Sequence, residues 1–335
     1  MLDLLIIGAG PIGLEAAIRA KRAGLEYTVL EKGAITQAMV NYPTYMLFFT
    51  TSERLEIGGH PLVTGVDKPT RKEALDYYRK VVHNEKLNVK TFHEVTNIKR
   101  LAVGFETTAQ TDKGQSVTLK SRFVALATGY FDNPKYLGIP GEDLPNVSHY
   151  FTEAHPYYER NVTIIGAGSS AADAALDLFK AGANVTMVHR GDSFRFSLKY
   201  WIKPNLENRV KEGSIKVHFN SVTKEITSDA VIIEKRLEDG TPETIIIPTD
   251  QTFALTGYYA STKLLEGVGV VIKSEDFSAQ LNEDTFETNV GGFFVIGSAG
   301  YGTRTSDVFI ENGLIHAEKA VKEVVRRLEN TPVSA

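Results

Sequence analysis

Two glycine-rich stretches decide the fold: Gly8-Ala9-Gly10-Pro11-Ile12-Gly13 near the start of the chain and Gly166-Ala167-Gly168-Ser169-Ser170-Ala171 near its middle. Each follows a short apolar run, residues 2–7 or 162–165, of the kind that forms a buried parallel strand. Each also precedes an amphipathic helical pattern and a second apolar run. Glycine lets the backbone approach a pyrophosphate, and the N-terminus of the following helix supplies amide donors. The sequence therefore predicts two dinucleotide-binding units.

The residue that closes the second strand of the first unit is acidic. Glu31 follows an apolar run at 27–30 and lies 18 residues after Gly13, close to the roughly 20 expected of a ribose-binding acid. A carboxylate at this position accepts hydrogen bonds from a ribose diol and repels a 2′-phosphate. The first unit is therefore predicted to bind an unphosphorylated adenosine dinucleotide, such as FAD or NAD.

The corresponding position of the second unit is basic. His189 and Arg190 follow the apolar run at 184–188, and Arg195 comes after them in the same loop. An arginine at this position attracts a 2′-phosphate through charge-assisted hydrogen bonds. The second unit is therefore predicted to bind NADP, and two dinucleotides on one chain imply electron transfer between them.

Composition excludes several other kinds of protein. The net charge of −4 and the scattered basic residues argue against a nucleic-acid partner. The chain has no cysteine, which removes thiolate metal sites, disulfides, a redox CxxC motif and a cysteine nucleophile. The histidines show no metal-binding spacing, so no metal site is expected. Without a signal peptide or an apolar stretch long enough to span a membrane, a soluble cytoplasmic protein is expected.

The position of the second glycine motif predicts that one domain is inserted into the other. Residues 122–129 form an apolar strand that ends in a tight turn, and a near-copy lies at 252–258; each would return the chain from one nucleotide domain to its neighbour. The predicted fold is α/β with two Rossmann-like domains. Residues 1–128 and 250–335 are predicted to form a discontinuous domain that carries the first motif, and residues 129–249 an inserted domain that carries the second; the resemblance described below makes them the FAD-binding and NADPH-binding domains. A helix is predicted over 306–330, with Ser306 or Asp307 as its N-cap.

The glycine motifs and several longer segments resemble the two-dinucleotide-binding flavoproteins of the thioredoxin-reductase-like class. Within that class the chain is most similar to the bacillithiol disulfide reductase family, and the resemblance covers nearly the whole chain. The segments that carry it are MLFFTT at 46–51, EIGG at 56–59, ATGYFD at 127–132, HYFTEAHPY at 149–157, FALTGY at 253–258 and VFIENG at 308–313.

This resemblance implies FAD in the N-terminal site, NADPH in the inserted domain, reduction of a low-molecular-weight thiol disulfide, and a homodimer or higher homo-oligomer. The implied FAD-binding residues are Gly8, Gly10, Pro11, Gly13, Glu31, Thr128, Gly129, Gly297, Ser298 and Val308. The implied NADPH-binding residues are Gly166, Gly168, Ser169, Ser170, His189, Arg190 and Arg195.

The chain departs from the family pattern at two positions. Ile12 stands where members often carry a cysteine, and Gly297-Ser298 stands where a Gly-Asp pair usually lies near the flavin ribitol. No side chain is predicted to be catalytic, because the flavin carries the redox chemistry and the protein supplies orientation and electrostatics. The N-terminus of the helix predicted from Ser306 could stabilise negative charge on the reduced flavin.

Two groups of rings have open interpretations. Tyr42, Tyr45, Phe48 and Phe49 either wall the flavin or pack in the core. Three further residues are candidates for the domain junction: Tyr150, His155 and Tyr157. For His155 a structural or exposed role is favoured.

The electron acceptor is open on sequence alone. A small disulfide is the first possibility, and ferredoxin or flavodoxin is the second, since electron transfer to such a protein needs no cysteine. A weakly catalytic redox sensor is the third. A flavin-containing monooxygenase is conceivable because His149 precedes the second glycine motif, but the usual phenylalanine-glycine start of that signature is missing.

Overall fold

The computed structural model describes residues 1–194, 198 and 202–330, and the chain divides into two units. The first unit contains residues 1–41, 45–133 and the chain from Tyr258 onward. The second contains residues 42–44 and 134–257. The predicted insertion of one domain into another is therefore confirmed.

The first unit is built on a seven-stranded sheet, and the first glycine motif directly follows the first strand of this sheet. Its strands run in the order β3-β2-β1-β6-β5-β4, and a further strand, β15 (Phe293–Val295), pairs with β6. The elements before the insertion are β1 (Leu2–Ile7), α1 (Pro11–Arg22), β2 (Tyr27–Leu30), α2 (Gln37–Val40), α3 (Arg71–Glu85), β3 (Val89–Lys90), β4 (His93–Arg100), β5 (Phe105–Thr111) and β6 (Ser116–Leu126).

Strand β6 belongs to two kinds of pairing. Its first half pairs antiparallel with β5, and its second half runs parallel to both β1 and β15. The long strand therefore continues an antiparallel meander into the parallel nucleotide-binding sheet.

The second unit repeats the parallel arrangement. Its main sheet has the order β10-β9-β8-β14-β7, and a separate antiparallel sheet has the order β11-β12-β13. The elements are β7 (Val147–Ser148), β8 (Asn161–Ile165), α4 (Ser169–Lys180), β9 (Asn184–Val188), α5 (Lys203–Lys211), β10 (Lys216–His218), β11 (Ser221–Ile226), β12 (Ala230–Arg236), β13 (Pro242–Pro248) and β14 (Gln251–Ala254).

The chain then returns to the first unit with α6 (Lys263–Val268), β15 (Phe293–Val295) and α7 (Ile310–Glu329). Because β14 pairs with β8, the second unit runs on to Gly257, eight residues beyond the expected boundary at 249. The first crossing lies at 133, five residues after the expected 128.

Helix α7 begins at Ile310, so the prediction of a start at Ser306 or Asp307 is wrong. The side-chain amide of Asn312 accounts for the later start. Its oxygen accepts the Phe309 N–H at 2.7 Å and its nitrogen donates to the Asp307 carbonyl at 2.8 Å. These bonds hold Asp307–Phe309 outside the helix and satisfy an amide that would otherwise lack a partner.

Apolar residues of alternating strand faces form the cores. In the first unit, Leu5 and Ile7 of β1 pack with Val124 and Leu126 of β6 and with Phe293 of β15. In the second unit, the alanine-rich face of α4 packs on the strands of the main sheet. The small alanine side chains let this helix approach the sheet closely.

An ion cluster fastens the end of α3 to α1. The Glu85 carboxylate accepts hydrogen bonds from Arg22 at 2.6 Å and from His60 at 2.8 Å, and Lys21 lies 3.3 Å away. These donors lower the pKa of Glu85 from 4.5 to about 2. The side chain is only 12% exposed, so solvent screens the cluster less than an ordinary surface pair.

We expect Glu85→Gln to lower the free energy of unfolding by about 1–2 kcal/mol at pH 7. Since folding lowers this pKa, the stabilisation is fully present above pH 4.5 and is lost as the pH falls through about 2. Urea denaturation at pH 7 and pH 3 should therefore show a larger difference from wild type at pH 7. Glu94→Gln, at an exposed position of β4, is the control. Equal stability of Glu85→Gln and wild type at pH 7 would contradict the prediction.

Candidate cofactor sites

The first glycine motif forms the turn between β1 and α1, and its glycines have different tasks. Gly8 has a φ of +107°, and a Cβ on it would lie 2.5 Å from the Ala127 carbonyl oxygen. A Cβ on Gly13 would lie 2.0 Å from the Gly8 carbonyl oxygen. Gly10 faces open space within 4 Å. The outer glycines thus permit close packing, and the middle one leaves room for a phosphate to approach the backbone.

The amides at the start of both motif helices are not capped by side chains. Pro11 occupies the first turn of α1, where its missing N–H costs no hydrogen bond. Ser169 and Ser170 open α4, whose N-cap residue, Gly168, likewise makes no side-chain cap. By contrast, Thr70 and Glu73 form a full capping box on α3. The two motif helices therefore keep N-terminal amides available for an anion.

Glu31 lies beside the first motif, as the sequence predicts. One carboxylate oxygen accepts the Ala9 N–H at 2.7 Å, and the other accepts the Gly33 N–H at 3.0 Å. Burial raises the pKa of this carboxyl group, although both hydrogen bonds oppose the shift. Each oxygen retains a lone pair, so the carboxylate can also accept a hydrogen bond from a ribose hydroxyl.

Two more predicted pairs meet at the carboxyl ends of β6 and β15. Gly129 and Gly297 both have a φ of +68°, and a Cβ on Gly129 would lie 3.9 Å from the Ser298 hydroxyl. Thr128 is exposed beside them. The structure therefore brings these four residues together at the sheet edge that also carries the first motif. Val308 is buried further along the chain, with Cγ1 3.2 Å from the position of a Cβ on Gly313.

Ile12 fills the space between the first motif and α7. Its Cδ1 lies 2.9 Å from the position of a Cβ on Gly297 and 2.5 Å from that of a Cβ on Gly313. The isoleucine therefore fits only because both neighbours are glycine. The sequence does not identify Gly313 as a site residue, because its contact with Ile12 joins residues that are far apart in the chain.

The second glycine motif repeats the geometry of the first. Gly166 has a φ of +135°, and its Cβ would lie 2.4 Å from the Leu255 carbonyl oxygen. Gly168 faces open space within 4 Å, like Gly10. Ala171 takes the place of the third glycine, and its Cβ lies 3.6 Å from the position of a Cβ on Gly166. The second turn is therefore slightly wider than the first.

His189 is the counterpart of Glu31, since both lie 23 residues after the first glycine of their motif. The His189 ring packs over Gly191, with Nε2 2.8 Å from the position of a Cβ there, and its edge faces Phe219. Arg190 is exposed, and no carboxylate of residues 1–194, 198 and 202–330 lies within ion-pair distance of it. Arg195 lies outside the described residues.

The aromatic residues divide between the two interpretations. Phe48 is buried in the first unit, which supports core packing, whereas Tyr45 is 76% and Phe49 44% exposed. Tyr42 belongs to the second unit. In that unit the Tyr157 ring packs edge-on against Phe253. Tyr150 is half-buried there, and His155 is exposed.

Sequence reasoning missed a buried pair in the second unit. The His149 ring lies 3.1 Å through Nδ1 from the Ala254 carbonyl and 3.5 Å through Nε2 from Glu142. Glu142 also accepts the backbone N–H groups of Leu137 and Gly138, each at 2.7 Å. This pair fastens the segment after residue 134 to the carboxyl end of β14. Glu142 lies in a stretch that reads as a loop-rich linker, so no periodicity identifies it.

Within the described ranges, no group of three or more His, Asp or Glu side chains could hold a metal ion. No helix among those residues is both long and apolar enough to cross a membrane.

Comparison with known proteins places these sites in a family. Residues 5–297 match the family described as pyridine nucleotide-disulphide oxidoreductase. The chain is 40% identical to bacilliredoxin reductase Bdr of Bacillus subtilis over 323 residues, which cover 96% of this chain and 97% of that protein. It is 28% identical to a ferredoxin–NADP reductase of Ignicoccus hospitalis, over 89% of this chain and 90% of that protein.

A solved structure supports the same assignment. The bacillithiol disulfide reductase Bdr from Bacillus cereus is 39% identical and superimposes with a TM-score of 0.93, covering 97% of this chain and 99% of that one. The predicted α/β fold, its resemblance to these reductases and its two cofactors are confirmed. The chain belongs to the pyridine nucleotide-disulphide oxidoreductase family and is an FAD- and NADPH-dependent flavoprotein oxidoreductase.

Proposed function

We propose that the chain reduces a low-molecular-weight thiol disulfide of the bacillithiol type at the expense of NADPH. The reaction consumes NADPH, one proton and the disulfide, and yields NADP⁺ and two thiols. The observation that carries the proposal is the end-to-end similarity to proteins named bacilliredoxin reductase and bacillithiol disulfide reductase. When bound, FAD supplies the two-electron chemistry between NADPH and the disulfide.

We further propose that the first unit holds FAD and the second holds NADPH. The open space at Gly10 and Gly168 and the uncapped amides of α1 and α4 fit a pyrophosphate in each unit. Glu31 would accept a hydrogen bond from a hydroxyl of the FAD ribose. Arg190 would bind the NADPH 2′-phosphate, with Arg195 as a further predicted ligand. Thr128, Gly129, Gly297, Ser298 and Val308 belong to the proposed FAD site, and Ser169, Ser170 and His189 to the proposed NADPH site.

The absence of cysteine determines how the disulfide must react. No thiol of the protein can attack it or store an electron pair, so the protein's part is to bind, orient and shield the reactants. The thiol chemistry has to come from the substrate or from a free small thiol. We also propose that the protein forms a homo-oligomer and is located in the cytoplasm.

A second candidate is a ferredoxin– or flavodoxin–NADP reductase. Ile12 favours it, because electron transfer to such a protein needs no thiol, and ferredoxin–NADP reductases are among the relatives. NADPH oxidation should be measured against bacillithiol disulfide, ferredoxin, flavodoxin and oxygen alone. Turnover fastest with the disulfide supports the first proposal, and turnover fastest with a protein acceptor supports the second. Slow turnover with all four would favour a redox-sensing role.

We expect Glu31→Gln to raise the dissociation constant for FAD about tenfold, because a charge-assisted contact is replaced by a neutral one. Fluorescence titration of the apoprotein with FAD measures the change. Glu26→Gln is the matched control, since Glu26 is exposed at the start of β2. Because Glu31 also accepts the Ala9 N–H, the melting temperature of each apoprotein should be compared. Unchanged FAD affinity in a folded Glu31→Gln protein would remove Glu31 from the site.

We expect Arg190→Ala to raise the KM for NADPH by about ten- to a hundredfold and to leave that for NADH nearly unchanged, because only NADPH carries the 2′-phosphate. Steady-state kinetics with both nucleotides give the ratio. Arg160→Ala, which removes an exposed arginine of the same unit, should leave both values unchanged. An equal loss with both nucleotides would mean that Arg190 supports the fold.

We expect Ile12→Cys to introduce a reactive thiolate and to raise disulfide turnover, because a thiol at the N-terminal end of α1 has a lowered pKa. Anaerobic titration of the wild type should end when the flavin is reduced, with no further electron pair taken up. Ile12→Val is the control for the change in volume. Disulfide turnover by the wild type that equals that of Ile12→Cys would show that the thiol is not needed.

A further inference from the structure

Three backbone segments lie side by side next to Arg190. The Ser221 N–H donates to the His189 carbonyl at 3.0 Å, and the Asn220 N–H donates to the Gly191 carbonyl at 2.8 Å. On the other side of this segment, Ser221 is the register partner of Lys235 at the end of β12. Adjacent strands are about 4.8 Å apart, so Lys235 begins about two strand steps from Arg190.

The strand registers bring His218 close to the carboxyl end of β9, beside Arg190. His218 is in register with Val188 across the parallel pair β9–β10, so the two share a face. Arg190 follows Val188 by two residues, just beyond the carboxyl end of β9. This face is the one covered by the small antiparallel sheet, because Val188 packs with Val231 and Ile233 of β12.

Lys235 lies on β12, the strand whose Val231 and Ile233 cover this face. It follows Ile233 by two residues on β12, and Lys235 is half-buried. The electrostatics agree with this placement, since burial first, and then the charges of Lys235 and Lys216, lower the pKa of His218. Glu243 of β13 acts in the opposite direction and raises this pKa. It is the register partner of Lys235.

The cationic groups have no anionic partner in close contact. In the part of the chain that the structure describes, neither Arg190 nor Lys235 has a carboxylate within 4.0 Å. Positive groups gathered at one edge repel one another, and an anion bound among them relieves that repulsion. The edge in question is the carboxyl edge of the parallel sheet, where doubly wound folds bind their ligands.

We propose that His218 and Lys235 complete the NADPH 2′-phosphate site begun by Arg190. The inference rests on the proposed assignment of NADPH to the second unit. Lys235 would contribute a point charge and His218 a ring N–H donor, whereas Arg190 would supply the bidentate contact. All three groups would act on the 2′-phosphate, which NADH lacks. Their effect on binding is therefore confined to the phosphorylated nucleotide.

The test compares two probes on the FAD-loaded protein, 2′,5′-ADP and 5′-AMP, by isothermal titration calorimetry. For Lys235→Gln we expect the dissociation constant of 2′,5′-ADP to rise about three- to tenfold and that of 5′-AMP to stay within about twofold. His218→Gln should produce a smaller rise for 2′,5′-ADP alone. Lys224→Gln is the matched control, because Lys224 lies in the same small sheet, where it pairs with Glu234 at 3.3 Å.

The outcomes separate this inference from the assignment on which it rests. If the wild type binds 2′,5′-ADP no more tightly than 5′-AMP, the second unit does not recognise a 2′-phosphate and the assignment itself fails. If the wild type prefers 2′,5′-ADP but both Lys235→Gln and His218→Gln keep that preference, the assignment stands and the inference is overturned. Equal weakening of both probes by Lys235→Gln would likewise overturn it, because the residue would then support the fold. A folded variant is verified by its unchanged FAD content and melting temperature.

Discussion

The close approach of a strand carbonyl to the first glycine of each motif is the constraint on which the structure depends. A side chain on Gly8 or Gly166 would collide with the carbonyl of Ala127 or Leu255, at 2.5 Å and 2.4 Å respectively. These carbonyls belong to the ends of the segments from which the chain leaves each unit, at 133 and 257. In each unit the first glycine of the motif therefore lets the motif turn and the exit segment lie close together.

The two units differ at one equivalent position, which is acidic in the first unit and basic in the second. Glu31 and His189 occupy equivalent places, 23 residues after the first glycine of their motif. Glu31 is tied to the motif turn by the Ala9 N–H, so its carboxylate is held in place before any ligand arrives. His189 instead packs its ring over Gly191, and the neighbouring Arg190 is exposed. A fixed acceptor suits a ribose diol, whereas the planar fork of an arginine suits a phosphate.

Local signals made much of the fold and of the candidate sites predictable from sequence. Strand β1 and the charges at Glu31 and Arg190 follow from glycine spacing and apolar runs, which act over a few residues. Non-local contacts were not predictable. Asn312 delays the start of α7 by bonding to residues that a helix pattern would include, and β14 joins the second unit through pairing with a strand about 90 residues earlier. The gathering of His218 and Lys235 depends on strand register, which no single segment encodes.

The packing around Ile12 shows how the first motif accommodates a large apolar side chain. Isoleucine is larger than cysteine, and its Cδ1 occupies space that side chains at 297 and 313 would need. Glycine at both positions leaves that space open, so the larger residue adds apolar contact between α1 and α7 without displacing the motif turn. A cysteine there would leave a void of two carbon atoms, at a cost of about 1 kcal/mol for the lost packing. Ile12 therefore contributes a packing contact and no redox-active group, and because the sequence has no cysteine the electron-carrying capacity of the chain lies wholly in its cofactors.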